Sequence, residues 1–293
     1  MNHFPPPRVA AIHDLSCFGR CALTVIIPTL SVMGYQAVPI PTALLSTHTG
    51  GFTDLHFHDM TPHMEKITDH LGSLHVAFRA VYSGFLGSAE QIDTVSHIID
   101  TFADTPDESG NLPLVVVDPV MGDDGQAYST YTPDLIRGMR TLCRKAHLLT
   151  PNLTEACFLT DTPYQSTADM PLEDAVAFAD SLMDKLENAY AAPQIVITGI
   201  HLSDGSLANL GKNADGSRFT VRRPLQALSY PGTGDIFASV LLGRLLRTQS
   251  FEDSCAYAAD FIATVIRESA KIPTPVRDGV ALENHLRRLC QEN

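Results

Sequence analysis

The chain has 293 residues, 44% of them hydrophobic, a mean hydropathy of +0.03 and a net charge of −13 from 20 basic and 33 acidic side chains. That length suits one large globular domain, 1–293, with ample core, and the acidic balance argues against nucleic acid or an anionic membrane as a general partner. No apolar run approaches the ~18 residues of a membrane span, and Met1 to Arg8 carries three prolines and no apolar signal core, so a cytoplasmic location is expected.

Arg8 to Ile12 reads as a short buried strand ending at His13-Asp14. A helix follows over Leu23 to Met33, its apolar face set by Val25, Ile26, Leu30 and Met33. Tyr35 to Ile40 is the second strand, and residues 41–52 read as a polar, glycine-ended loop. Pro62 to Leu71 is helical, Ala80 to Ser83 a strand and Ile92 to Phe102 a helix. Leu114 to Val117 is a continuous apolar run rich in β-branched residues, the pattern of a strand buried on both faces. Leu135 to Cys143 is helical, His147 to Thr150 a strand, and a helix starts at Pro151 to Glu155. Pro171 to Asn188 is a long amphipathic helix, and Gln194 to Thr198 the next buried strand. Ser206 to Leu210 and Arg218 to Arg222 form an antiparallel hairpin through Asn213-Ala214-Asp215-Gly216. Three helices close the chain: one to Thr248, then Phe251 to Arg267 and Gly279 to Cys290. No linker is long enough to divide it.

Strands alternating with helices over most of the chain predict an α/β fold with a mostly parallel sheet and helices on both faces. In such sheets ligands bind at the carboxyl ends of the strands. The polar segments at Asp14, Thr42 to Thr49, Ser83-Gly84, Asp118, Asn152 to Glu155 and Thr198-Gly199 would share that rim. The six cysteines are scattered without C-x-x-C spacing and read as reduced thiols. His56, His58, His63 and His70 fit no zinc spacing and read as solvated loop and helix residues.

The segment that would face this rim is Ser229-Tyr230-Pro231-Gly232-Thr233-Gly234-Asp235, followed by an apolar helical run. A glycine turn opening onto a helix offers unpaired N–H groups and the positive dipole end to an anion. A carboxylate beside those amides suits a general base for a substrate hydroxyl. Read alone, the motif serves equally as an ordinary helix cap. It departs from the dinucleotide fingerprint because Phe237 takes the third glycine position. Gly205 and Gly211-Lys212 miss P-loop spacing by one residue. What remains for phosphate chemistry is Gly232 to Asp235 with the acids Asp118 and Glu155 and the amide Asn152.

Taken together these residues resemble the ribokinase-like superfamily, a three-layer α/β/α fold, and within it the pyridoxal/pyridoxamine (vitamin B6) kinases. The superfamily pieces are Asn152-x-x-Glu155 and Gly232-Thr233-Gly234-Asp235. The B6-kinase pieces are Ser83 to Gln91, Asp118-Pro-Val-Met-Gly122, Ser46-Thr-His-Thr49 and Arg223-Pro224-Leu225. The resemblance implies transfer of the ATP γ-phosphoryl to the 5′-hydroxymethyl group of pyridoxal, pyridoxine or pyridoxamine. Asp235 would be the base, with the N–H groups of Gly232, Thr233 and Gly234 as the anion hole. It implies ATP contacts at Asp118, Thr150, Asn152, Glu155, Arg223, Pro224, Leu225 and Gln226. Mg²⁺ would be organised by Asp118 and Glu155, partly through water, and a monovalent cation (K⁺ or Na⁺) is left open. Asp14, Thr42, Ser46, His48, Ser83 and Phe85 would face the substrate, and the protein would form a homodimer.

Two departures stand out. Many pyridoxal kinases carry Ser at the place of Asp14 and Tyr at that of Phe85. A carboxylate at 14 would pair with a protonated ring nitrogen or a 4′-amine, hinting at pyridoxamine preference. The same phosphoryl-transfer residues also serve a hydroxymethylpyrimidine kinase of thiamine synthesis. A non-catalytic vitamin-binding protein is the third reading.

Overall fold

The computed structural model describes residues 6–290. In chain order it contains β1 (Arg8–Ile12), β2 (Leu15–Phe18), α1 (Leu23–Val32), β3 (Gln36–Pro39), β4 (Ala43–Thr47), β5 (Phe57–Asp59), α2 (Thr61–Ser73), β6 (Ala80–Ser83) and α3 (Glu90–Phe102). Next come β7 (Leu114–Val117), the two-residue strands β8 (Gly122–Asp123) and β9 (Gln126–Ala127), α4 (Pro133–Leu142), β10 (Leu148–Leu149), α5 (Leu153–Leu159) and α6 (Leu172–Ala189). The chain continues through β11 (Gln194–His201), β12 (Ser206–Lys212), β13 (Arg218–Pro224), α7 (Thr233–Leu245) and α8 (Phe251–Ser269), then short 3₁₀ turns.

The main sheet has eight strands in the order β13-β12-β11-β10-β7-β6-β1-β3. The pairings from β3 through β11 are parallel, whereas β12 and β13 run antiparallel as the expected hairpin. Neighbouring residues of one strand serve opposite cores. Val115 and Val117 point into a cluster with α3, α4 and α6, while Val116 joins α1, α7 and α8 on the other face. The unbroken apolar run of β7 thus reflects burial on both sides, and the layering is α/β/α.

Two sequence expectations are corrected. Residues 41–52 are not all loop: β4 lies between β2 and β5 in a three-stranded sheet. Ala43 and Leu45 turn inward while Leu44 and Ser46 stay exposed, a period-2 pattern that the polar Ser and Thr residues disguise. Gly279 to Cys290 is not one helix but 3₁₀ turns at Leu282–Asn284 and Leu286–Cys290. Gly279, at φ 82°, keeps the chain out of helical conformation there, and Leu282 and Leu289 reach the core from the turns.

Candidate active site

Gly232 caps α7 at φ 78°, in the left-handed region. A Cβ there would also run into the Arg20 carbonyl, so glycine is required twice. The first N–H groups of α7 have no acceptor one turn earlier in the helix, and Gly234 opens on free space. Thr233 turns its hydroxyl back to the Tyr230 carbonyl at 3.0 Å, leaving its main-chain amide to the site. Asp235 sits in this first turn with its side chain 15% exposed. Its Oδ2 accepts the Ala22 N–H at 2.8 Å. Burial and then the charge of Asp14 push its pKa up to about 7, against the pull of the Ala22 amide.

Asp118 follows β7 and is buried. Burial, then the charge of Asp235, raises it to about 8, with the Thr150 hydroxyl acting in the opposite sense. Thr150 lies next to it at the end of β10, its hydroxyl without a well-placed partner. Asn152 caps α5 in a reciprocal box: its Oδ1 accepts the Glu155 N–H at 2.9 Å, and Glu155 Oε2 accepts the Asn152 N–H at 2.8 Å. Glu155 Oε1 takes the Met121 N–H at 3.0 Å, and Asn152 Nδ2 donates to the Gly122 carbonyl at 2.8 Å. One capping box therefore fastens Asp118-Pro-Val-Met-Gly122 to α5. Burial and the neighbouring Asp118 charge raise Glu155 well above the carboxylate range. No three His, Cys, Asp or Glu side chains among the described residues converge on one point. Asp118 and Glu155 are the carboxylates that would be available to a hydrated hard cation such as Mg²⁺, which binds through few carboxylates and several waters.

Asp14 follows β1. Its Oδ2 accepts the Ser16 hydroxyl at 2.8 Å, and burial lifts its pKa to about 6. Thr42 donates its hydroxyl to the Phe85 carbonyl at 2.9 Å, and Gln91 Nε2 donates to the Thr42 carbonyl at 2.8 Å. These contacts hold the Ser83 to Gln91 loop beside β4. The Ser83 hydroxyl is buried without a partner, and Phe85 packs on Tyr131 with ring centroids 6.1 Å apart. Asp14, Thr42, Ser83 and Phe85 thus gather at the strand ends near Asp235. Ser46 does not: it lies on the exposed face of β4, its hydroxyl accepting the His56 N–H at 2.9 Å. His48 has both ring nitrogens occupied, Nε2 at 2.7 Å from the Arg277 carbonyl and Nδ1 accepting the Gly50 N–H at 3.1 Å. It pins the small sheet to the C-terminal segment.

The sequence profile of the phosphomethylpyrimidine kinase family matches residues 11–277. The chain belongs to this family. A pyridoxine/pyridoxal/pyridoxamine kinase of Bordetella avium is 28% identical over 284 residues, 92% of this chain and 90% of the relative. A protein of Bacteroides thetaiotaomicron, assigned provisionally as a phosphomethylpyrimidine kinase and crystallised with pyridoxal, superposes with a TM-score of 0.86 at 37% identity over 98% of this chain and 97% of its own. The pyridoxal kinase of Lactobacillus plantarum gives 0.83 at 28% identity, covering 97% and 96%. The chain is a kinase with the ribokinase-like fold.

The residues expected on the nucleotide side at the end of β13 are tied to the fold. The Arg223 guanidinium bonds Asp260 at 2.5 and 2.6 Å and the Arg222 carbonyl at 2.7 Å, so it clamps β13 to α8. Pro224 and Leu225 are exposed beyond it, and Gln226 Nε2 donates to the Pro224 carbonyl at 2.8 Å. Sequence reasoning missed His13. It is fully buried between β1 and Tyr82, both ring nitrogens lack partners, and Nδ1 lies 4.0 Å from Asp235 Oδ1. Burial lowers its pKa to about 3, so the ring is neutral. A His at a strand end beside Asp14 was the available signal. Ala22 was also missed, and a main-chain donor leaves no signal of residue type.

Proposed function

We propose that the chain phosphorylates the 5′-hydroxymethyl group of a vitamin B6 vitamer with ATP. The observation that carries this reading is Asp235 in the first turn of α7, directly after Gly232-Thr233-Gly234 and raised by burial to about 7, where the amides of a helix start have no acceptor one turn earlier. A base with that pKa is half deprotonated near neutrality, where proton transfer is most effective. In the step, Asp235 takes the hydroxyl proton as the substrate oxygen bonds to the γ-phosphorus. The bond from that phosphorus to the bridging oxygen breaks, and ADP leaves with the electron pair. The α7 amides hold the charge on the transferring group, and one such donor is typically worth about 10²–10³ in rate. Mg²⁺ would supply charge neutralisation at the ATP phosphates. Asp118, Thr150, Asn152 and Glu155 orient the nucleotide side, while Asp14, Thr42, Ser83 and Phe85 frame the ring. The B6-kinase relatives and the pyridoxal-bound neighbour support the substrate class.

A hydroxymethylpyrimidine is the second reading, favoured by the description of the family profile. A steady-state panel of pyridoxal, pyridoxamine, pyridoxine and hydroxymethylpyrimidine with Mg-ATP decides between them. The proposal expects the B6 vitamers to have the higher kcat/KM. A panel led by the pyrimidine overturns it, and no turnover with any of the four supports the non-catalytic reading. The proposal includes a single cytoplasmic kinase domain acting as a homodimer, which light scattering would read as twice the 31.8 kDa chain mass.

A further inference from the structure

Ala22 is buried, with its backbone at φ 48°, ψ −135°, a region nearly reserved for glycine. Such strain persists only where the surroundings over-determine it, and it clusters at functional sites. Here both sets of restraints are visible. On the site side, the Ala22 N–H donates to Asp235 Oδ2 at 2.8 Å and the Leu23 N–H to the Asp14 carbonyl at 3.1 Å. On the other side, Arg20 is tied to the C-terminal segment. Its main-chain N–H and Nη1 both donate to the Asp278 carbonyl, at 3.1 and 3.3 Å, and Nε lies 2.9 Å from each Glu283 oxygen. Gly279 lets that segment lie against the Arg20 backbone, where a Cβ would meet Arg20 N and O. The Arg20 carbonyl in turn packs on Gly232, the cap of the helix that carries Asp235.

We propose that Arg20, Ala22 and the Asp278 to Glu283 segment form a positioning clamp for the base. The C-terminal segment fixes Arg20, Arg20 holds Ala22 in its strained conformation, and the Ala22 N–H fixes Oδ2 so that Oδ1 is left for the substrate proton. The Arg20 and Glu283 side chains lie outside the site and reach Asp235 through the main chain, by the Ala22 N–H and by the Arg20 carbonyl against Gly232. An exposed ion pair such as Arg20 with Glu283 adds little to stability by itself, so its effect is to be read in catalysis. The inference rests on the assignment of Asp235 as the base.

The test is steady-state kinetics of the full chain with pyridoxal and Mg-ATP. Arg20→Ala lets Ala22 relax and withdraw its amide, and kcat falls about ten-fold, the loss of one charge-assisted hydrogen bond, while KM for ATP holds. Adding Ala22→Gly to Arg20→Ala restores most of the lost kcat, because glycine carries this φ without strain. A purely structural role for Arg20 predicts the reverse, since the extra glycine would deepen the loss. If Arg20→Ala does not fold, Glu283→Ala with and without Ala22→Gly makes the same comparison. Wild-type kcat in Arg20→Ala, or a loss that Ala22→Gly deepens, overturns the clamp. Asp235→Asn separates the two assignments. Turnover in that variant sinks the base, whereas an inactive Asp235→Asn beside an unaffected Arg20→Ala sinks the clamp alone.

Discussion

Asp14 is buried, and its Oδ2 accepts the Ser16 hydroxyl. It is also close enough to Asp235 to raise that residue's pKa. A buried carboxylate in that position gains most from a ligand that brings a proton or a positive charge. Pyridoxamine offers its 4′-ammonium, while pyridoxal carries an aldehyde at the same carbon. Asp14→Ser is therefore expected to lower the ratio of kcat/KM for pyridoxamine over pyridoxal by about ten-fold, the worth of one charge-assisted hydrogen bond. Competition kinetics with both vitamers measures that ratio directly, and an unchanged ratio rules out Asp14 as the selecting group.

At the scale of elements, α5 shows how a cap can build a site. Asn152 closes the box with Glu155 and also holds the Gly122 carbonyl, so one side chain sets both the helix start and the loop after Asp118. Asn152→Ala should cost about 1–2 kcal/mol, from the lost cap and the lost loop contact together. The urea midpoint should fall with m unchanged, and KM for Mg-ATP should rise because Glu155 loses its anchor. A loss of stability with KM unmoved would reduce Asn152 to a cap. This element was legible in the sequence, because N-cap chemistry is local and Asn-x-x-Glu states it. The parallel strands were legible for a similar reason: apolar runs rich in β-branched residues, such as Leu114 to Val117, have few other uses. The three-stranded sheet was not, because Ser46 and Thr47 dilute the alternation of β4 and its partners β2 and β5 are only four and three residues long. Nor were the roles of His48 and Arg223, whose polar atoms are claimed by the Arg277 carbonyl and by Asp260. Spacing cannot report such long-range competition for a donor.

Over the whole molecule, the excess of 33 acids against 20 bases includes Asp14, Asp118, Glu155 and Asp235 at one end of the sheet. None of the four forms an ion pair with Lys or Arg among the described residues, and burial is the leading cause of each raised pKa. A carboxyl whose pKa is higher folded than unfolded binds more protons in the native state. Its contribution to stability is complete below the unfolded value of about 3.9 and is lost as pH rises through the folded value. With Asp14 at about 6, Asp235 at about 7 and Asp118 at about 8, the ligand-free protein should lose stability steadily between roughly pH 5 and pH 8. A divalent cation reverses the local charge balance, because it binds the ionised form and adds stability by mass action. Thermal melts should therefore show Tm falling from pH 5 to pH 8 without Mg²⁺, and millimolar Mg²⁺ with ATP should recover it at pH 8 far more than at pH 5. Asp118→Asn should flatten the metal-free slope and abolish most of the recovery. A Tm that rises with pH in the metal-free protein, or an Asp118→Asn protein that responds to Mg-ATP like the parent, would place the cation elsewhere.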